Sequence, residues 1–382
     1  MKNKLIKFIP AAVFLLFTFS AFVMFFALPK SDFSVMEKRY LSKTPDFSIE
    51  NLTSGELVKQ IDGDSEKGKV GYVADHFPLR SFFVGLNSYY NLCIGNTANS
   101  DYYFAKDGFV ITKPYDTPKL DTNIKVINEF SKDKNVTLAV VPSAGYVLED
   151  KLPLNHLDYS DEAVYKSIET DISDSVTLCD MRSLMLDYYA KGNAPYYKTD
   201  HHWTTPAAFE AYKEISVKLG LEPTDESVFK KTSYSDFCGT TYSSSGYFLV
   251  SPDSIEVWKN EAQKGVKVEI TEGPKTEKYD SMFFEEHLSE PDMYPVFLDG
   301  NHPLVTIRNP EVKGGKLLVI KDSFAHALVP FLADNYSEIY MVDMRYYKEN
   351  LSELCAENEI SDVLILYSIS NFCTDTGLAF LE

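Results

Sequence analysis

Five short apolar runs constrain this chain more than anything else in it: Val136-Thr137-Leu138-Ala139-Val140-Val141-Pro142, Val176 to Asp180, Leu317-Leu318-Val319-Ile320, Ile339-Tyr340-Met341-Val342 and Val363-Leu364-Ile365-Leu366-Tyr367. Runs this short and this continuous suit strands covered on both faces, the condition of a parallel sheet. Among them stand segments with helical spacing: Leu120 to Ser131, Ala163 to Ile172, Ser183 to Ala190 and Leu351 to Glu357. Strands alternating with helices predict right-handed crossovers in one parallel sheet, an α/β fold flanked by helices. A chain of 382 residues is long enough to give such a sheet a substantial core. No internal repeat or low-complexity tract is visible.

One interval breaks the alternation. Thr232 to Tyr247 is rich in Ser, Thr, Gly and Tyr, and Ile255-Glu256-Val257-Trp258 and Val266-Lys267-Val268-Glu269-Ile270 then alternate at period two, as antiparallel strands do. Tyr279 to Phe284 is a further strand candidate. The sequence thus predicts a β-rich insertion at about residues 230–300 of a main domain spanning 101–382. Residues 31–100 read as an arm, with a polar, turn-rich tract from Asp62 to Lys69 and an ion pair expected between Asp75 and Arg80.

Two stretches carry chemistry. In Lys198-Thr199-Asp200-His201-His202-Trp203-Thr204-Thr205-Pro206, Thr205 is a natural N-cap and Pro206 fits the first helical position. Phe209, Tyr212, Ile215 and Leu219 follow at helical spacing. Read as an extended entry to that helix, the segment turns Asp200 and His202 to one side and His201 to the other. A carboxylate beside an imidazole fixes its tautomer and raises its basicity, the base half of a hydrolytic triad. In Lys316-Leu317-Leu318-Val319-Ile320-Lys321-Asp322-Ser323-Phe324-Ala325-His326, the apolar strand gives way to Phe324, Leu328, Phe331 and Leu332 at helical intervals. Ser323 then sits at a strand-to-helix junction, at the sheet edge where open α/β sheets place ligands, with helix-start N–H groups near. The alternative for Ser323 is a helix N-cap. For Asp200, His201 and His202 together the alternative is a metal site, though adjacent histidines diverge.

Further candidates surround these. Arg345, after a strand in Val342-Asp343-Met344-Arg345, suits a substrate carboxylate or hydroxyl, or a salt bridge to Asp343 or Asp322. Asn301, in Asp299-Gly300-Asn301-His302-Pro303, is placed either to donate to an oxyanion or to make a turn. Trp203 either packs the loop or contacts substrate. His326 reads as helix surface, and Asp322 as a residue orienting the turn.

These stretches resemble the DHHW protein family, named for the run that stands here as Asp200 to Trp203. The family is similar to the alginate O-acetyltransferases of the SGNH-hydrolase-like superfamily. Phe33 to Leu41 followed by Pro45-Asp46-Phe47-Ser48 looks like its opening signature. Asp75-His76-Phe77-Pro78-Leu79-Arg80, Lys321 to Phe324 and Asp343 to Tyr347 match later elements. The resemblance implies Ser323 as nucleophile, His202 as base and Asp200 as its orienter, on an SGNH-hydrolase-like parallel sheet. The Gly and Asn blocks of ordinary SGNH esterases are not evident, which leaves backbone N–H groups as oxyanion donors. It also implies an exported polysaccharide or wall glycan as substrate, and an integral-membrane O-acyltransferase as partner. Serine carries the acyl group itself, so no cofactor is called for. The rival from another class is a catalytically silent glycan-binding or scaffold protein of an envelope assembly.

Charge and the N-terminus bound the setting. A formal net charge of −19 argues against nucleic acid and disfavours acidic polysaccharides, leaving neutral or zwitterionic glycans. Phe8 to Leu28 is 21 residues without a charge, about 31 Å as a helix and enough to cross a bilayer. Lys2, Lys4 and Lys7 precede it, which predicts a cytoplasmic N-terminus and a single-pass anchor with the domain outside. A cleaved signal peptide, giving a secreted protein, is the competing reading; Phe26-Ala27-Leu28-Pro29 is a poor cleavage site. The five cysteines fit no metal spacing, and an odd count allows at most two internal disulfides or simply buried thiols.

Overall fold

The computed structural model describes residues 2–34, 39–64, 68–99 and 101–381. Val35 to Lys38 of the opening signature and Ser65 to Lys67 of the polar tract lie outside the described residues. The chain forms two compact units, residues 1–96 with 243–248 and residues 97–242 with 249–382.

The first unit begins with α1 (Lys2–Ala27), whose Phe8–Ala27 portion has a mean hydropathy of 2.3 and is long and apolar enough to cross a membrane. Helices Ile49–Ser54, Glu56–Asp62 and Arg80–Cys93 follow. Asp75 takes a different partner from the one expected. Arg39 donates to its two oxygens at 3.1 and 2.5 Å, and the Ser42 amide N–H at 2.8 Å. Leu79, at φ 60°, turns the chain between Asp75 and Arg80, and Arg80 opens the next helix.

The second unit is built on one eight-stranded mixed sheet. Its strands are β1 (Asn135–Val141), β2 (Val176–Cys179), β3 (Lys267–Glu272), β4 (Lys275–Tyr279), β5 (Leu304–Arg308), β6 (Lys316–Lys321), β7 (Glu338–Val342) and β8 (Asp362–Ser368). Their order is β4-β3-β5-β7-β6-β8-β1-β2. The five apolar runs form the parallel half, β7-β6-β8-β1-β2. The other three strands pair antiparallel, so the sheet is not the wholly parallel one expected. The difference lies in residues 267–308: the period-two run at 266–270 joins the main sheet as β3, followed by β4 and, beyond the expected insertion, β5. Val268 and Ile270 face the core while Lys267 and Glu269 face outward, the pattern of a strand with one wet face. The edge strand β4 ends at Tyr279, where the further candidate was expected to begin. Its exposed Lys275, Glu277 and Lys278 guard the open edge. The other period-two run lies in a separate hairpin of Phe229–Phe237 with Asp253–Asn260.

Alternate residues of β6 enter different cores: Leu317 and Val319 join one, Leu318 and Ile320 the other, and all four are fully buried. The first core takes α2 (Thr205–Lys218) and α3 (Ala325–Leu332), where Phe209 and Tyr212 meet Phe331. Every residue of α3 is buried. Because β6, β7, β8 and β1 run parallel, the chain leaving each of them emerges at one edge, and that edge carries the site. Of the five thiols, none is bonded; Cys93 is exposed and the others are buried.

Candidate active site

The turn that carries Ser323 is three residues long. Asp322, Ser323 and Phe324 join β6 to α3, and Asp322 fixes their shape from inside. One carboxylate oxygen accepts from the Phe324 amide at 2.9 Å. The other accepts from the Ser368 amide at 2.8 Å, the Ser368 hydroxyl at 2.7 Å and the Asn371 side chain at 2.8 Å. The turn is thereby tied to the end of β8. The Ala325 and His326 amides donate to the carbonyls of Asp322 and Ser323. Ser323 does not cap α3. Its hydroxyl meets His202 Nε2 at 2.7 Å instead.

The Asp200 segment is a closed loop, not the extended entry expected. Tyr196 and Trp203 form an antiparallel bridge, and the Tyr197 and Thr204 amides donate across it to the His202 and Pro195 carbonyls. Asp253 holds the loop tip, accepting from the Lys198 amide at 3.1 Å and from the Thr199 amide and hydroxyl at 2.7 and 2.6 Å. Inside, the His202 amide donates to Asp200 Oδ1 at 2.9 Å, and His202 Nδ1 reaches the same oxygen. The Thr240 amide donates to Asp200 Oδ2 at 2.6 Å. Nδ1 against a carboxylate and Nε2 against a hydroxyl assign the proton to Nδ1, which leaves Nε2 free to accept from Ser323. Gly239 closes over the carboxylate: a Cβ there would lie 2.2 Å from the Asp200 Cβ.

Closing the loop has two further effects. His201 is not turned away. Its ring centroid is 4.0 Å from that of His202 and its Nδ1 is 3.9 Å from Asp200 Oδ2. Helix α2 also starts one residue early: Thr204 is the cap, accepting from the Ala207 amide at 3.3 Å, and Thr205 donates to Glu256. Donor atoms of Asp200, His201 and His202 lie within 4.8 Å of one another. Turning His202 and Asp200 onto an ion would break their mutual contact, or the one to Ser323.

The imidazole is held between aromatic rings. Tyr294, from the insertion, stacks on it at 3.7 Å and 7° from parallel, and its hydroxyl donates to the Ser323 carbonyl at 3.1 Å. Burial, with the Asp200 charge beside it, pushes the Tyr294 phenol well above its ordinary pKa, so it stays a donor. Trp203 is completely buried, edge-on to Phe324, with its indole N–H donating to the Phe324 carbonyl at 3.1 Å. It supports the turn through packing. Sequence reading missed Tyr294, Asp253 and Gly239; none lies in a periodic segment or beside the motifs.

Arg345 and Asn301 come together with each other, not with the serine. Arg345 donates to Asp343 at 2.6 and 2.8 Å and to Asn301 Oδ1 at 3.3 Å. Among the described residues neither hydrogen-bonds to Ser323 or His202. Lys321, fully buried, shares Asp343 at 3.2 Å and meets His326 Nε2 at 2.8 Å. Burial lowers the Lys321 pKa against the pull of Asp343. For Asp343, burial alone would raise the pKa, but Arg345 and Lys321 outweigh it and lower it. His326 is not helix surface as expected but 1% exposed, because α3 is buried on every side.

A family model described as DHHW protein matches residues 124–342. A crystal structure of a DHHW family protein from Eubacterium siraeum is similar with a TM-score of 0.63 at 22% identity, covering 73% of this chain and 97% of that one. Bacillus cereus PatB1, solved with a sulfonyl adduct, gives a TM-score of 0.63 at 19% identity, covering 75% and 100%. At these identities the likeness shows a shared fold. No curated protein matches the chain.

Proposed function

The chain belongs to the DHHW protein family, and we propose that it is an O-acetyltransferase or acetylesterase acting outside the cytoplasm on a cell-envelope or exported polysaccharide. The observation that carries this reading is the unbroken relay from Asp200 through His202 to the Ser323 hydroxyl, 2.7 Å from the imidazole. A silent scaffold has no use for a carboxylate, base and hydroxyl held in line by buried partners. The SGNH-hydrolase-like assignment of the sheet belongs to the same proposal.

In the proposed reaction Ser323 Oγ attacks the acyl carbon as its proton passes to His202 Nε2. Negative charge gathers on the former carbonyl oxygen. The Ser323 amide is a donor available to it, since the three amides that follow, of Phe324, Ala325 and His326, are engaged within the turn. The intermediate collapses to an acyl-serine ester, and the leaving oxygen takes the proton from His202. A sugar hydroxyl, or water in an esterase, then gives its proton to Nε2 and attacks the ester, and the departing Ser323 oxygen takes that proton back from His202. Asp200 keeps the imidazole in one tautomer throughout and stabilises the imidazolium.

Arg345 is proposed to hold substrate from the rim: its side chain is 30% exposed and anchored by Asp343. Asn301 stands beside it, and Trp203 contributes through Phe324. The apolar segment Phe8–Ala27 supports an anchor with the second unit outside, or a signal sequence. An integral-membrane O-acyltransferase supplying acetyl groups is part of this reading. Acetyl-ester cleavage by the full chain in detergent micelles tests it. Ser323→Ala and His202→Ala should each lose on the order of 10⁴-fold or more; a Ser323→Ala variant with undiminished turnover overturns the reading.

A further inference from the structure

We infer that a cavity beside the nucleophile turn is the acceptor subsite, shaped for one uncharged, hydroxyl-bearing sugar ring; this rests on the acyl-transfer reading above. The cavity has a volume of about 280 Å³. One wall is Asp200, His201 and Phe324, and the next is Ser368, Ser370 and Asn371 at the end of β8. His202 and Ser323 do not themselves line the cavity, but Asp200, His201 and Phe324 are their chain neighbours, so a ligand seated there lies next to the proposed base and nucleophile.

Its size excludes most alternatives. Small-molecule sites begin at about 300 Å³, so this one takes a single ring rather than a run of several. An acetyl group alone would leave most of it empty.

The chemistry of the lining selects the ring. Tyr102, Tyr115, Tyr159 and Tyr197 present aromatic surface. Tyr159 is clamped in place: its hydroxyl donates to the Thr112 carbonyl at 2.5 Å, and its ring lies so close to Gly145 that a Cβ there would be 2.0 Å away. Rigid aromatic faces suit the C–H faces of a sugar, and hydroxyls at the margins suit its O–H groups. Thr241, also lining the cavity, is 1% exposed, and among the described residues its hydroxyl has no hydrogen-bond partner.

Charge sets the second half of the inference. Of the lining residues only Lys113 carries a fixed positive charge, and its Nζ sits over the Tyr103 ring at 5.6 Å. No arginine lines the cavity, so a uronate carboxylate would meet no bidentate partner. Asp200, in the wall, would repel it.

Saturation-transfer NMR on the full chain in detergent micelles tests this with methyl β-D-glucopyranoside and its uronic acid counterpart. The neutral glycoside should bind at least tenfold tighter. Ala144→Phe and Ser370→Trp, filling the cavity from two walls, should each abolish its signal, with folding checked by the melting temperature. Equal or tighter uronoside binding, no binding of the neutral ring, or unchanged binding in a folded filled variant overturns the inference. Aryl acetate cleavage is followed in the same preparation. Cleavage without glycoside binding removes the subsite alone, whereas binding without cleavage removes the acyl-transfer reading and the acceptor role with it.

Discussion

The ring of Tyr294 lies flat on the imidazole of His202, with centroids 3.7 Å apart, while its hydroxyl holds the carbonyl of Ser323 at 3.1 Å. One side chain thus fixes both the proposed base and the backbone of the proposed nucleophile. Such a ring pair is worth about 0.5–1.5 kcal/mol, or roughly two- to tenfold in rate if it serves to orient the imidazole. Tyr294→Leu should lower kcat/KM for an aryl acetate by that factor, and Tyr294→Phe by less. Equal rates in folded Tyr294→Leu and the unsubstituted chain would leave the stack without a catalytic role.

Gly239 gives a steric test of the carboxylate. An alanine there places its Cβ 2.2 Å from the Asp200 Cβ, closer than any real contact, so Asp200 must move. Displacing a catalytic group by about 1 Å costs on the order of 100-fold. Gly239→Ala should lose about that much kcat/KM while the sheet stays folded; circular dichroism and kinetics together decide.

Behind the turn, Asp343 neutralises two cations. Removing one member of a buried ion pair costs about 3–5 kcal/mol, because the other is left charged and unpaired. Arg345 can swing toward water, but Lys321 is 1% exposed and cannot. Asp343→Ala should therefore destabilise by about that amount in denaturant unfolding. Adding Lys321→Met should recover most of the loss, and a double-mutant cycle with no coupling would contradict this.

A pH signature sits in the insertion. His287 donates to Asp299 at 2.7 Å and lies 3.4 Å from Glu290. Burial alone would lower its pKa, yet the two carboxylates outweigh it and the folded value is raised above 6.5. A raised folded pKa stabilises the protein fully below the unfolded value, and that contribution fades as pH climbs through the folded one. The stability gap between the unsubstituted chain and His287→Gln should be full below about pH 6.5 and shrink as pH rises through the raised folded pKa. A gap that widens with pH would reverse the sign.

Much of this site could be read along the chain, and what escaped has physical causes. The continuous apolar runs marked the parallel strands because burial on both faces leaves no alternation to confuse. Ser323 followed from one of them, at the point where a strand period gives way to a helical one. His201 does not point away because the i, i+2 rule holds for extended backbone, and the His202 amide contact to the Asp200 carboxylate and the Asp253 anchor bend this loop closed. His326 looked like surface because a polar residue in a helix usually is; a buried lysine as its partner has no sequence period. Asp75 chose Arg39 over the nearer Arg80, a tertiary choice that local spacing does not encode. The insertion strands were visible as antiparallel, but alternation says nothing of which sheet they join.

The most direct measurement is to treat the full chain in detergent micelles with an aryl sulfonyl fluoride or 4-nitrophenyl acetate and locate the adduct by peptide mass spectrometry. The account predicts modification of Ser323, with the label sharply reduced in His202→Ala. A chain that cleaves the ester while its label falls on another side chain, or reacts at Ser323 equally well without His202, would contradict it.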